Sequence, residues 1–117
     1  MSAKLPDQKR SYYRLQYPKP ERPTVCFRGC YYEVTEISEG GVRILLSGGC
    51  AVRQRQTFAG VLRFSDGDTT PIVGVVLRLE DSEIVVKLSK GISLKRMIAE
   101  QIRLRKKYPM FFDRPEE

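Results

Sequence analysis

The sequence predicts a mainly β protein: a six-stranded antiparallel β-barrel with one C-terminal α-helix and a flexible N-terminal arm. Three observations predict it. Between Thr24 and Leu88, apolar residues recur at every second position in six short runs separated by turn residues. After Ser93 the apolar period lengthens to three and four, the spacing of a helix face. Before Thr24 the chain is polar and basic, and Pro6, Pro18, Pro20 and Pro23 forbid a continuous helix there. Six short strands joined by tight turns expose two edges unless the sheet closes on itself, which argues for a barrel.

The arm spans 1–23 and carries six cations (Lys4, Lys9, Arg10, Arg14, Lys19, Arg22) against two anions (Asp7, Glu21). Thr24 to Arg28 reads as the first strand, and Gly29-Cys30 turns the chain into Tyr31 to Ile37. Ser38 to Gly41 is the next turn, after which Val42, Ile44 and Leu46 share one face of a third strand while Arg43 takes the other. Ser47-Gly48-Gly49 ends it. Gln54 to Phe64 places Phe58, Gly60, Leu62 and Phe64 at period two, and Ser65-Asp66-Gly67-Asp68 is a hairpin turn with a strong Asp-Gly signal. Pro71 to Leu79 is the most apolar strand, with Val73, Val75, Leu77 and Leu79 on one face and Ile72, Gly74 and Val76 on the other. Glu80 to Ser82 turns into Glu83 to Leu88. Ser93 then caps a helix whose stripe of Leu94, Met97, Ile98 and Ile102 is expected to dock on the barrel. Pro109 stops that helix, closing a barrel-plus-helix unit over 24–109. The tail, 110–117, holds Phe111 and Phe112, which are too apolar to be left in water and are expected to pack on the barrel or a partner.

A chain of 117 residues holds one hydrophobic core, and its 41% apolar and 30% charged residues are those of a globular protein. No apolar run is long enough to cross a bilayer, and the first residues lack the apolar segment of a signal peptide, so a cytoplasmic location is expected. In that compartment Cys26, Cys30 and Cys50 read as reduced thiols; they lack metal-ligand spacing, and no histidine completes a zinc site. The net charge of +7 implies an anionic partner. The basic block Arg103 to Lys107 has a simpler account, since cations at the end of a helix oppose its negative pole. Catalysis lacks parts: there is no histidine to serve as a base near neutral pH, no nucleophile elbow and no phosphate-binding Walker loop. The protein reads as a non-enzyme.

Two stretches carry binding chemistry. Arg10-Ser-Tyr-Tyr-Arg14 sets two guanidinium groups four residues apart, a spacing that points both the same way. Arginine's fork donates two parallel hydrogen bonds, which suits both the O6/N7 edge of guanine and a phosphate. Downstream, Glu36-Ile37-Ser38-Glu39-Gly40-Gly41 joins two strand-like runs through a glycine pair that lets backbone approach a ligand. A guanine nucleotide offers both groups that the arginines would hold.

In their order and spacing these stretches resemble the PilZ family, the bacterial receptors for cyclic di-GMP. The family pattern is Arg-x-x-x-Arg on an N-terminal segment, followed by Asp/Asn-x-Ser-x-x-Gly on a barrel strand. Here the first is Arg10 to Arg14, and the second is Glu36 to Gly41, with Glu36 where the family has Asp or Asn. The resemblance implies a receptor or adaptor for cyclic di-GMP that needs no further cofactor. Arg10 and Arg14 would clamp guanine edges and phosphates, Glu36 would accept from the guanine amine, Ser38 would hydrogen-bond phosphate or base, and Gly41 would keep the strand surface open. Ordering of the arm around the nucleotide would create a surface for a protein partner, with motility, attachment or exopolysaccharide as the output. Monomer and homodimer both stay open, and Lys9, directly before Arg10, bears on ligand stoichiometry. Two alternatives stand beside this reading. One is a small barrel that binds single-stranded nucleic acid, although the tyrosines cluster near the arm instead of alternating with cations along a strand. The other is a PilZ-like adaptor that has lost nucleotide affinity through Glu36 and works by protein contact alone.

Overall fold

The computed structural model describes residues 14–46 and 52–112, the last two by their backbone. Seven strands lie among the described residues: β1 (Leu15–Gln16), β2 (Thr24–Phe27), β3 (Cys30–Ser38), β4 (Gly41–Leu45), β5 (Thr57–Arg63), β6 (Thr69–Glu80) and β7 (Glu83–Lys90). They are followed by α1 (Leu94–Lys107) and the short α2 (Pro109–Phe112). Pairing runs β3, β2, β5, β6, β7, β4 and back to β3, antiparallel throughout, so six strands close into a barrel. The seventh, β1, lies outside that ring. It pairs with the second half of β3 on the edge whose first half belongs to β2.

Alternation decides which side chains fill the barrel. Val25 and Phe27, Val42 and Ile44, Phe58 and Leu62, Ile72 and Val76, and Ile84 and Val86 all turn inward and are at most 4% exposed. On β3 the inward residues are Tyr32, Val34 and Ile37, the last two three residues apart because the register with β4 shifts between Val34 and Glu36. Two turns meet their chemical requirements differently. Gly67 takes φ +94° in the Asp66-Gly67 turn, as glycine readily does. The β2–β3 hairpin turns on Arg28 and Gly29 with φ of 53° and 80°, so an arginine occupies a left-handed position normally given to Asn or Gly. Gly74 is dictated by packing, since a Cβ there would stand 2.2 Å from the Lys87 carbonyl oxygen.

The expected arm is replaced, over its described part, by ordered structure. Residues 15–16 form β1, residues 19–21 form a single 3₁₀ turn, and Leu15, Tyr17 and Glu21 are buried. The prolines do prevent a long helix here, but Leu15 and Tyr17 supply apolar surface that packs on the barrel and helix. The docking face of α1 also differs from the expected stripe. Met97 and Leu104 are buried together with Glu100, whereas Leu94, Ile98 and Ile102 lie exposed. The reason is a buried polar contact: Tyr17 donates its hydroxyl hydrogen to Glu100 Oε1 at 2.6 Å, and Arg96 and Arg103 flank the same carboxylate. A glutamate therefore occupies the middle of the buried row, and the row rotates away from the most apolar face.

Further contacts fasten the helix. Ser93 caps its first turn by accepting from the Arg96 amide, and Arg96 bridges to Asp66 and Asp68 in the β5–β6 turn while stacking over Phe64. Glu21, 6% exposed, accepts from Arg103, Lys107 and the Tyr108 hydroxyl. The basic block thus does more than oppose a helix pole: Arg103 and Lys107 tie the helix to the N-terminal segment. Pro109 ends α1 as expected and begins α2. Cys26 and Cys30 are free thiols. Cys50 and the side chains of Phe111 and Phe112 lie outside the described residues.

Candidate functional site

Strand pairing brings the two sequence stretches together. β1 sets Leu15 opposite Ile37 and Gln16 opposite Glu36, so Arg14, the next residue along, falls at the level of Ser38. Ser38 ends β3 and Gly41 starts β4, paired across a two-residue turn. Arg14, Glu36, Ser38 and Gly41 line one cleft of about 80 Å³, which Val42, Arg43, Arg78 and Val85 complete. Arg14, Glu36 and Arg43 also border an adjoining open cleft of about 530 Å³, lined by Lys19, Arg22, Thr35 and Glu83 among others. Arg10 lies outside the described residues, as do Lys9, Tyr12 and Tyr13.

The residues differ in how free they are. Arg14 has a side chain 71% exposed and pairs with Glu36 at 3.5 Å. Glu36 is only 14% exposed; it also accepts from Gln16 and lies 4.0 Å from Arg43. Ser38 donates its hydroxyl hydrogen to the Gly41 carbonyl at 3.3 Å, which leaves its oxygen available to accept. A Cβ on Gly41 would meet the Val86 carbonyl oxygen at 3.0 Å, so the missing side chain first makes room for β7.

Two arginines absent from the sequence motif complete the floor. Arg43 donates to Glu80 at 2.8 Å and Glu83 at 3.1 Å, and the Glu80 hydrogen bond is the main cause holding its guanidinium more firmly charged. Arg78 pairs with Glu80, whose carboxyl is held below its ordinary pKa first by Arg78 and then by Arg43. The two clefts together carry five cations (Arg14, Lys19, Arg22, Arg43, Arg78) and two carboxylates (Glu36, Glu83). Glu80 and Glu33, outside the lining, pair with Arg43, Arg78 and Arg22, which leaves Arg14 and Lys19 as the exposed cations that an oxyanion can reach. The alternation Val42-Arg43-Ile44 did signal that Arg43 points outward. Nothing in the sequence placed Arg78 beside it.

Among the described residues no cluster of three or more histidines, cysteines, aspartates or glutamates could hold a metal, and no helix is long and apolar enough to cross a membrane.

No family model matches the chain, and neither does any curated protein. Solved structures do share its fold. The PilZ domain of YcgR from Escherichia coli, determined with cyclic di-GMP, superposes with a TM-score of 0.67 at 16% identity, covering 87% of this chain and 98% of that one. The Bacillus subtilis inhibitor of motility MotI/DgrA gives 0.64 at 17% identity over 87% of this chain, which spans about half (52%) of that protein. An uncharacterized Legionella protein, Lpg0364, gives 0.61 at 18% identity, covering 83% and 98%.

Proposed function

We propose that this chain is a PilZ-type, non-enzymatic receptor for cyclic di-GMP that signals nucleotide occupancy to a protein partner. One observation carries the reading: Arg14, Glu36, Ser38 and Gly41, singled out by sequence spacing, border one cleft with surplus positive charge. A solved structure of like fold, the YcgR PilZ domain, holds that nucleotide, and another, MotI/DgrA, is an inhibitor of motility, which supports motility as the output. Arg14 would turn its exposed fork from Glu36 to a guanine edge or phosphate. The swap is inexpensive, since an exposed ion pair contributes about 0–1 kcal/mol while a charge-assisted, bidentate contact is worth more. Ser38 would either redirect its hydroxyl hydrogen from the Gly41 carbonyl to a phosphate oxygen or accept from the guanine edge, Glu36 would accept from guanine N1 or N2, and Arg10 would supply the second fork. Carrying the signal by ordering residues ahead of Arg14 couples arm and ligand.

A second reading rests on Glu36 itself. It already holds Arg14 and stands near Arg43, so a dianionic ligand must compete with a resident carboxylate. In that case the chain is a PilZ-like adaptor working through protein contact alone.

Calorimetric titration with cyclic di-GMP separates the two. For the receptor, the unmodified protein binds, and Arg14→Ala weakens binding by about 2 kcal/mol, roughly 30-fold. For the adaptor, the unmodified protein is silent and Glu36→Asn or Glu36→Asp restores affinity. Silence from all variants removes the nucleotide from the account. Poly(U) retained on filters with a steep salt dependence would favour a nucleic-acid barrel instead.

A further inference from the structure

A second cluster of arginines faces a different cleft. Arg28, in the β2–β3 turn, and Arg53 and Arg55, in the segment leading into β5, line an open cavity of about 490 Å³ with Gln54 and Gln56. It shares no lining residue with the Arg14 clefts. Elsewhere Arg14, Arg22, Arg43, Arg78, Arg96 and Arg103 each lie within 4.0 Å of a carboxylate. Arg28, Arg53 and Arg55 have no such partner among the described residues; Arg28 rests over the Phe27 ring at 5.1 Å.

The hydrogen-bond inventory of this cavity is one-sided. Gln56 Oε1 accepts from the Arg53 amide at 2.9 Å, which fixes the orientation of its side-chain amide. Its Nε2 is then a buried donor with no partner. Gln54 spends its amide on the Leu77 carbonyl at 3.1 Å. Donors therefore outnumber acceptors: Gln54 keeps its Oε1 to accept with, while three guanidinium forks and the orphan Gln56 amide still have hydrogens to give. An orphaned buried donor costs free energy unless something accepts from it.

Two of the three arginines also sit in left-handed backbone, Arg28 at φ 53° and Arg55 at φ 71°, where Asn or Gly fits with less strain. Such outliers gather at binding sites.

We propose that this cavity binds a compact polyanion carrying two or more phosphate groups close together, independently of any nucleotide at the Arg14 cleft. Phosphate oxygens are acceptors only, match the guanidinium fork bidentately and carry enough charge to draw three cations together. Among the described residues no aromatic side chain lines the cavity to stack a base, which favours a small phosphorylated ligand over single-stranded nucleic acid.

The test is calorimetric titration of the full chain with sodium tripolyphosphate, with poly(U) as the polymeric comparison. Arg28→Asn and Arg55→Asn remove charge while placing a residue better suited to left-handed backbone, so loss of binding is not confounded by loss of fold. The expected result is saturable tripolyphosphate binding that falls about tenfold or more in each variant, with an unchanged or raised Tm, and stays unaltered in Arg14→Ala. Three outcomes would overturn the proposal: no saturable binding, equal weakening by Arg14→Ala, or poly(U) binding more tightly than tripolyphosphate through the same arginines.

Discussion

Replacing Glu21 with Gln tests the contact that holds the N-terminal segment to the helix. The Glu21 carboxylate lies 2.9 Å from both Arg103 Nη1 and Lys107 Nζ and 3.0 Å from the Tyr108 hydroxyl. Hydrogen bonds from Lys107 and then Arg103 hold its pKa at about 2, against an ordinary value of 4.5. That difference corresponds to about 3 kcal/mol, and solvent screening around the half-exposed Lys107 reduces it to about 2 kcal/mol. The sign follows from linkage: a depressed carboxyl pKa stabilises the fold fully above 4.5, and the contribution disappears as pH falls toward 2. Glu21→Gln should lower Tm at pH 7 by about 10 °C in a domain of this size. Scanning calorimetry from pH 7 to pH 2 should show the two proteins converging below pH 4.5. A variant within about 2 °C of the parent at pH 7, or a gap that persists unchanged at pH 2, would refute the argument. Because Arg14 enters the site from the segment that Glu21 anchors, the same variant should also weaken any ligand that Arg14 grips.

Three shorter tests follow. Tyr17→Phe withdraws the hydroxyl donor from buried Glu100, leaving Arg96 and Arg103 to hold it, and should cost about 1–2 kcal/mol by urea unfolding. Gly74→Ala forces a Cβ to 2.2 Å from the Lys87 carbonyl and 3.0 Å from the Leu88 Cα, both backbone atoms that cannot swing aside. It should destabilise by about 3 kcal/mol or more, with amide exchange rising first along β6 and β7. Arg28→Asn relieves about 1 kcal/mol of left-handed strain and forfeits about 0.5 kcal/mol from the exposed contact with Phe27. A net gain of about 0.5 kcal/mol in chemical denaturation is the expected result.

The barrel was legible because its strands obey period two almost without interruption. Phe58, Leu62 and Phe64, or Ile84 and Val86, announce an inward face that any closed sheet must bury. What escaped the pattern was structure made by few residues. β1 is two residues long, too short for a period, and it exists because Leu15 and Tyr17 find apolar partners on elements distant in sequence. The docking face of α1 was misjudged for a related reason. Hydrophobicity ranks Ile98 and Ile102 above Glu100, yet a tyrosine hydroxyl arriving from residue 17 makes burial of that glutamate the better arrangement.

The candidate site divides in the same way. Glu36, Ser38 and Gly41 are contiguous in the chain, so a motif can hold them. Arg43 and Arg78 reach the cleft through register alone: Glu36 pairs with Arg43, Arg43 with Val85, and Val85 with Arg78, one row across β3, β4, β7 and β6. Two register shifts fix that row, one between Val34 and Glu36 and one between Val76 and Arg78. Without the second, strict alternation from outward-facing Val75 and Leu77 would turn Arg78 toward the core, where an unpaired guanidinium is untenable. The irregularities that hide this part of the site from a period-two reading are therefore what carry Arg78 to the surface beside Glu80, within reach of an anion.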